Sequence, residues 1–289
     1  MNGMSWSDFQ ERVKKGLYLA ANSFELLWKH KILVFYLVIP YGISLLFQLI
    51  HFNMYGQHGE KFVGSFYGLA PFFKLVSWQS YFLYFGVLYF YILLLNFYIV
   101  ALVYHTDLLM ANYAASIQGS LQHAVKKIPF IAVWSIIVTG VSFFAILMSR
   151  GSLGSFAESF LFRLIFFVVN VLFTVATYMI LTIISLERAT VKEIIVKAAR
   201  IIKVLFVEIA SGQSWIGFIA FFGIPFYMLY DKLLQLLFPG SNVMLLVGTV
   251  FILVFGWIIS TIQVIFKTVI YNYYQEPIEE MEILRYPRF

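Results

Sequence analysis

Residues 187–230 read ERATVKEIIVKAARIIKVLFVEIASGQSWIGFIAFFGIPFYMLY, and they join two kinds of segment. The first, residues 187–210, is basic and amphipathic. At about 100° per residue, Lys192, Glu193, Lys197, Arg200, Lys203 and Glu208 fall within one arc of about 160°. Ile194, Ile195, Ala198, Ile201, Ile202, Leu205 and Ile209 fill the opposite side, while Val196, Val204 and Val207 intrude on the polar arc. Such a helix does not span a bilayer, because each charge in hydrocarbon costs roughly 2.5–3.5 kcal/mol. Nor does it float free, since its apolar face would stay wet. The pattern predicts a helix lying along the cytoplasmic membrane surface, its isoleucine face on lipid or on the ends of a helix bundle. Lys192, Lys197, Arg200 and Lys203 form its basic face toward anionic headgroups. Ser211-Gly212-Gln213-Ser214 reads as a polar break, and Trp215–Tyr230 as the start of a transmembrane helix.

Composition places the rest of the chain in the same setting. Of 289 residues, 62% are hydrophobic and only 12% charged, against roughly a quarter charged in a soluble domain. The net charge of +6 follows a membrane pattern rather than a nucleic-acid one, so no nucleic acid is expected as partner; membrane lipids are. With no cysteine, disulfides, thiolate metal sites and Cys nucleophiles are excluded. No cleavable signal peptide is visible, because the first long apolar run begins only at Ile32, after a basic amphipathic lead.

Taken in order, residues 1–31 form a cytoplasmic lead. Phe9, Val13, Leu17, Ala20, Phe24, Leu27 and Trp28 recur at helical spacing, Ser7 with Asp8 is the expected cap, and Lys14, Lys15, Lys29 and Lys31 line the polar side. Residues 32–270 form the membrane domain, with spans expected at about 32–50, 81–104, 128–148, 161–186, 215–237 and 243–270. At 1.5 Å per residue, Ile32–Ile50 covers about 28 Å, near the ~30 Å hydrocarbon thickness. Pro40 is expected to kink it. Residues 51–80 read as an outer loop, 105–129 as a return to polar character, Arg150–Ser159 as a Gly/Ser-rich turn and Pro239–Asn242 as another turn. The fifth span is short if it stops at Asp231 and reaches Leu237 if Asp231 and Lys232 pair near the outer face, and residues 271–289 are a cytoplasmic tail. Of the twenty Lys and Arg, fifteen fall on one side and five (Lys61, Lys74, Arg150, Arg163 and Lys232) on the other. The positive-inside rule then puts both termini in the cytoplasm.

Three leads, residues 6–31, 116–129 and 187–210, each precede an outward span that is followed by a returning one. The expected fold is therefore all-α and integral to the membrane. It has six transmembrane helices, cytoplasmic amphipathic interfacial helices and a threefold helix-plus-hairpin pseudo-repeat. Identity between the copies is low, so shared apolar composition is the competing account.

Three stretches carry a family resemblance: GLYLAANSFELLWKHKILVFYLVIP at 16–40, NFYIVALVYHTDLLMANYAASIQGSLQHAVKKIPFIAVWSII at 96–137, and ISLERATVKEIIVKAARIIKVLFVEI at 184–209. The first joins a basic helix to the first span. The second runs from a span through a short polar segment, a small helix, a basic pair and Ile-Pro into the next span. The third is a span end, a Glu and a basic amphipathic helix. In this the chain resembles a group of uncharacterised six-span prokaryotic membrane proteins, catalogued as a domain of unknown function, over most of residues 10–265. The resemblance implies a multi-pass protein of the prokaryotic plasma membrane and no catalytic residues. Similarity to the membrane portion attached to some glycerophosphodiester phosphodiesterases is looser.

Chemistry is sparse. His30, His51, His58, His105 and His123 sit at expected span ends or in loops, and none makes an i, i+4 metal pair, so headgroup-level histidines are expected and no metal or cofactor. His105 and Asp107 are the one candidate pair for an enzyme, but two residues apart on a helix they face different directions. No acidic residue lies deep in an expected span, which argues against cation coupling. Asn96, Asn170 and Gln263 are the deepest amides; they are the candidate binding groups, against the alternative that they hydrogen-bond between helices. Neither a P-loop nor a Gly-x-Ser-x-Gly motif occurs. The leading expectation is a non-enzymatic membrane protein that binds lipid or a partner. A transporter without a titratable coupling site is the second, and a membrane-surface enzyme the third.

Overall fold

The computed structural model describes residues 5–44, 46, 78–150, 160–237 and 242–275. Most of the expected outer loop, the Gly/Ser turn, the Pro239 turn and the tail beyond Gln275 lie outside the described residues, as do the side chains of Asp231 and Lys232. All described regular structure is helical: α1 Trp6–Lys29, α2 Lys31–Ser44, α3 Trp78–Met110, α4 Ile117–Lys126, α5 Ile128–Arg150, α6 Phe160–Leu186, α7 Val191–Val204, α8 Phe206–Leu237 and α9 Asn242–Gln275.

Among the described residues, Tyr81–Met110 and Val254–Gln275 are each long and apolar enough to cross a membrane. Two bent pairs pass the same test together. Trp6–Lys29 meets Lys31–Ser44 at 93°, and Ile117–Lys126 meets Ile128–Phe144 at 73°. The structure thus provides two to four membrane-crossing units by length and composition, and two shorter apolar helices, Leu172–Leu186 and Phe206–Phe221.

Local sequence accounts for the breaks. Ser5, rather than Ser7, caps α1: its side chain accepts from the Asp8 N–H at 3.1 Å while the Asp8 carboxylate accepts from the Ser5 N–H at 3.2 Å. At the other end the chain turns at His30 and winds as a 3-10 helix over Lys31–Leu37. Pro40 lies just beyond this winding. With no N–H, it cannot donate to the carbonyl four residues back, as an α-helical residue would. The Trp257 indole N–H donates to the Val34 carbonyl within that irregular stretch at 2.6 Å. Between α4 and α5 the break is Lys127, and Pro129 sits in the first turn of α5, where no N–H is needed.

Two sequence expectations change here. The second long helix does not stop at Tyr104; it runs to Met110 and closes at Asn112, whose φ of 58° is left-handed. The Tyr113 N–H reaches back to the Leu108 carbonyl at 2.8 Å, the wrap that follows a left-handed cap. The third lead ends at Val204 rather than 210. The break is Leu205, and Ser211–Ser214 lies inside continuous helix α8. Small, polar Ser211 and Gly212 read as a loop, but they serve a close helix crossing. A Cβ on Gly212 would stand 2.7 Å from the Gly16 carbonyl oxygen and 2.3 Å from the Phe266 ring.

Packing follows a cyclic order. The returning helices α3, α6 and α9 touch one another pairwise. Around them α1 packs on α8 and α9, α4 on α3, and α7 on α6. Leu102, Met179, Leu181, Ile183, Ile265 and Phe266 are the returning helices' share of one buried core, with the Phe266 ring set against Gly212 of α8. Val133, Ile136, Phe144, Phe90, Phe218 and Phe221 are exposed on the outside, as a lipid-facing surface requires.

Candidate functional site

Helix α7 opens with a capping box. Thr190 Oγ1 accepts from the Glu193 N–H at 3.4 Å, and Glu193 Oε2 accepts from the Thr190 N–H at 2.7 Å. The backbone hydrogen bond to Thr190, joined by its hydroxyl, holds the Glu193 carboxyl below its ordinary value. Ile194, Ala198, Ile201 and the following Leu205 are buried against the bundle. Lys192, Arg200 and Lys203 are exposed, and so are Ile195, Val196 and Val204. The expected single isoleucine face is thus split: Ile194 and Ile201 meet protein, whereas Ile195 stands outside.

Lys197 does not belong to the open basic face. It is half-buried, pairs with Glu187 and lies 5.5 Å from the centre of the Tyr271 ring. Glu187 is the hub of a polar floor at this end of the bundle. Its Oε1 accepts from Lys197 Nζ, from the Tyr271 hydroxyl and from Gln275 Nε2 at 3.3 Å. The Glu187 backbone carbonyl accepts from Lys127 Nζ, at the break between α4 and α5. One residue therefore ties α6, α7, α9 and the second lead together.

The histidine expectation needs correction on this floor. His105 is inside α3 and buried, because α3 extends past the expected end. Its Nδ1 shares hydrogen bonds with the Tyr36 hydroxyl at 2.8 Å and Ser120 Oγ at 3.2 Å, which joins α2, α3 and α4. Asp107 accepts instead from Asn272 Nδ2 at 2.9 Å. The pair is thus not brought together; each group serves a different helix contact. His123 stacks on Tyr104 with centroids 3.8 Å apart and planes 2° apart. Its Nε2 donates to the Ser185 carbonyl at 2.8 Å, which fixes the proton on that nitrogen because a carbonyl only accepts. Burial holds the His123 imidazole below its ordinary pKa, opposed by the bond to Ser185 and reinforced by Lys127 and Lys126.

Of the three deep amides, Asn96 is buried in α3 and donates from Nδ2 to Ser135 Oγ on α5 at 2.9 Å. Gln263 is half-buried in α9 and makes no hydrogen bond to a described residue. Asn170 stands in α6, and its side chain lies outside the described residues.

Two charged groups escaped the sequence reading. Glu208, expected on the polar arc of a surface helix, is buried and takes a two-pronged bond from Arg12, at 2.7 Å from Nε and 2.6 Å from Nη2. Arg12 also donates to the Val204 carbonyl, at the break between α7 and α8. Lys267 counted among the cytoplasmic charges, but it is 1% exposed within α9. Its Nζ donates to Gln213 Oε1 at 2.6 Å and lies 4.6 Å from the Phe266 ring centre. The unbroken apolar setting VIFKTVIY at 264–271 was the available signal for its burial. Among the described residues, no three His, Asp or Glu side chains gather as metal ligands. Comparison of the chain with protein-family models, curated proteins and solved structures finds no match.

Proposed function

We propose that the chain is a six-span protein of the prokaryotic plasma membrane, with both termini cytoplasmic, that acts by binding anionic lipid rather than by catalysis. The observation that carries this reading is the outer side of α7, where Lys192, Arg200 and Lys203 stand exposed beside exposed Ile195. Near an anionic leaflet each such cation contributes about 1 kcal/mol. Six spans follow if α3, α9 and the two bent pairs are joined by α6 and α8, whose lengths of 27 and 32 residues suffice. The resemblance to six-span prokaryotic membrane proteins agrees with that count. The threefold repeat is supported by the packing of each lead on the returning helix before it, α1 on α9, α4 on α3 and α7 on α6. It is also supported by small buried residues, Ser23, Ser120 and Ala198, each seven positions before the breaks at His30, Lys127 and Leu205.

Native mass spectrometry of the protein from mixed phosphatidylglycerol and phosphatidylcholine tests the reading. The protein should retain the anionic lipid preferentially, and the combined K192Q, R200Q and K203Q variant should lose that preference. Equal retention of both lipids by the unaltered protein would contradict it.

A second reading, transport of a small or lipid-like molecule, is favoured by one observation. Half-buried Gln263, without a described partner, and buried Lys267 lie one helical turn apart on α9. An intramembrane cation is a default candidate for a solute path. Reconstituted vesicles that leaked or accumulated an anionic solute in a manner abolished by K267M would support that reading over lipid binding alone.

A further inference from the structure

We propose that α1, α4 and α7 form one collar embedded in a single leaflet, each helix turned the same way so that an apolar flank lies on lipid. This rests on the lipid-binding reading and specifies the surface that makes the contact. On each lead, burial and sequence divide the helix into three sectors.

On α1 the bundle-facing sector is Gly16, Leu19, Ala20, Ser23 and Leu27. Next to it, on the solvent side, come Trp6, Val13, Leu17, Phe24 and Trp28, all exposed or half-exposed. Glu11, Lys14, Lys15, Glu25 and Lys29 follow. On α4 the same sequence of sectors is Ser120 and Ala124, then Ile117, Leu121 and Val125, then Gln118, Gln122 and Lys126. On α7 it is Ile194, Ala198 and Ile201, then Ile195 and Ile202, then Lys192, Arg200 and Lys203. Tyr18, Val196 and Val204 are apolar residues that fall among the charged sectors. At about 100° per residue, the apolar flank lies roughly 80–90° from the bundle-facing sector on all three helices, in the same rotational sense.

That shared sense decides the direction of the flanks. The second and third leads pack on the returning helix of the unit before, and the first packs on α8 and on α9, the returning helix of the last unit. Each ends at a break into its own outward helix, so the three run the same way around the bundle. A quarter turn from the inward direction then points along the membrane normal, and toward the same side, for every lead. Mixed hands would have sent at least one flank into water. The breaks support flat placement, since α1 and α4 meet their outward helices at 93° and 73°. Continuity supports lipid as the occupant. The flanks run on around each break into exposed apolar residues of the next helix: Trp28 into Ile32 and Phe35, Val125 into Ile128 and Val133, Ile202 into Phe206. Lipid-exposed residues of a crossing helix have no other solvent. Basic residues on the third sector then sit at headgroup level, and Lys31 lies 5.2 Å from the Trp28 ring centre, an arrangement suited to that boundary.

The full chain has no cysteine, so single cysteines carry spin labels cleanly. Labels at Leu17, Leu121 and Ile195, in vesicles of phosphatidylglycerol and phosphatidylcholine, should collide severalfold more with oxygen than with a water-soluble nickel chelate. All three should report the same depth. Labels at Lys14, Gln122 and Arg200 should show the reverse preference. A second flank set, Trp28, Val125 and Ile202, repeats the measurement if a label in the first set disturbs packing. Any one lead whose flank labels in both sets favour nickel would overturn the shared collar. Loss of headgroup preference with all flanks still at depth would instead count against the anionic-lipid reading and leave the collar standing.

Discussion

Gly16 of α1 and Gly212 of α8 meet where a side chain on either would strike backbone. A Cβ on Gly16 would lie 2.4 Å from the Glu208 carbonyl oxygen and 2.8 Å from its Cα, and one on Gly212 would lie 2.7 Å from the Gly16 carbonyl oxygen. The first lead is therefore docked, not loosely laid on the surface. Neither contact ends on a flexible side-chain tip alone, so the helices must separate to admit a methyl group. Gly16→Ala and Gly212→Ala should each cost about 1–3 kcal/mol by overpacking. Thermal unfolding in detergent measures this, and Gly217→Ala, where no atom stands within 4 Å of the added carbon, is the control, expected to stabilise by about 0.5–1 kcal/mol through helix propensity alone.

One turn away, Arg12 and Glu208 form the ion pair that holds the same crossing. Side-chain exposure is 26% for Arg12 and 4% for Glu208. Arg12→Ala leaves Glu208 buried without its cation and should cost about 3 kcal/mol. Arg12→Met together with Glu208→Leu should recover most of that loss, because no charge is then stranded. A double-mutant cycle gives the coupling, and strictly additive losses would argue against the pair.

The amides should behave differently from one another. Asn96→Leu removes the bond to Ser135 and should destabilise by about 0.6 kcal/mol, the average for such bonds in membranes. Gln263 has no described partner, so Gln263→Leu should leave stability unchanged or raise it. Unfolding of the two variants in one detergent separates them.

The stacked His123 makes the second lead sensitive to pH. Its folded pKa is held below the ordinary 6.5, chiefly by burial. The unfolded chain therefore takes up the proton first as pH falls. The contribution of neutral His123 is full above 6.5 and is lost as pH drops through the lower folded value. After correction for the intrinsic pH dependence of exchange, the amides of α4 should be less protected at acidic pH than at neutral pH, and His123→Gln should flatten that difference.

Amphipathic leads and long apolar runs were legible in the sequence because helical period and charge cost act locally. The ends of those elements were less so. Ser211-Gly212-Gln213-Ser214 has the composition of a loop, yet its small residues let α1 approach α8, a contact with a segment about two hundred positions away in the chain. The actual break at Leu205 has no glycine or proline to mark it; the freed Val204 carbonyl is answered by Arg12 from α1. Likewise His105 looked like a residue beyond a span because hydropathy falls after Tyr104, whereas Tyr36 and Ser120 supply the partners that let the helix continue. On α7 helical period alone puts the isoleucines on one side. Their division between Ile194, against protein, and Ile195, outside, depends on which helix lies alongside.

In the proposed topology the basic leads of the membrane domain all face the cytoplasm. Single cysteines at Gln79, exposed at the start of α3, and at Lys192, exposed on α7, test it in intact cells with an impermeant thiol reagent. The account predicts labelling of Gln79→Cys from outside, and labelling of Lys192→Cys only after the membrane is opened. Labelling of Lys192→Cys in sealed cells, with Gln79→Cys protected, would contradict it.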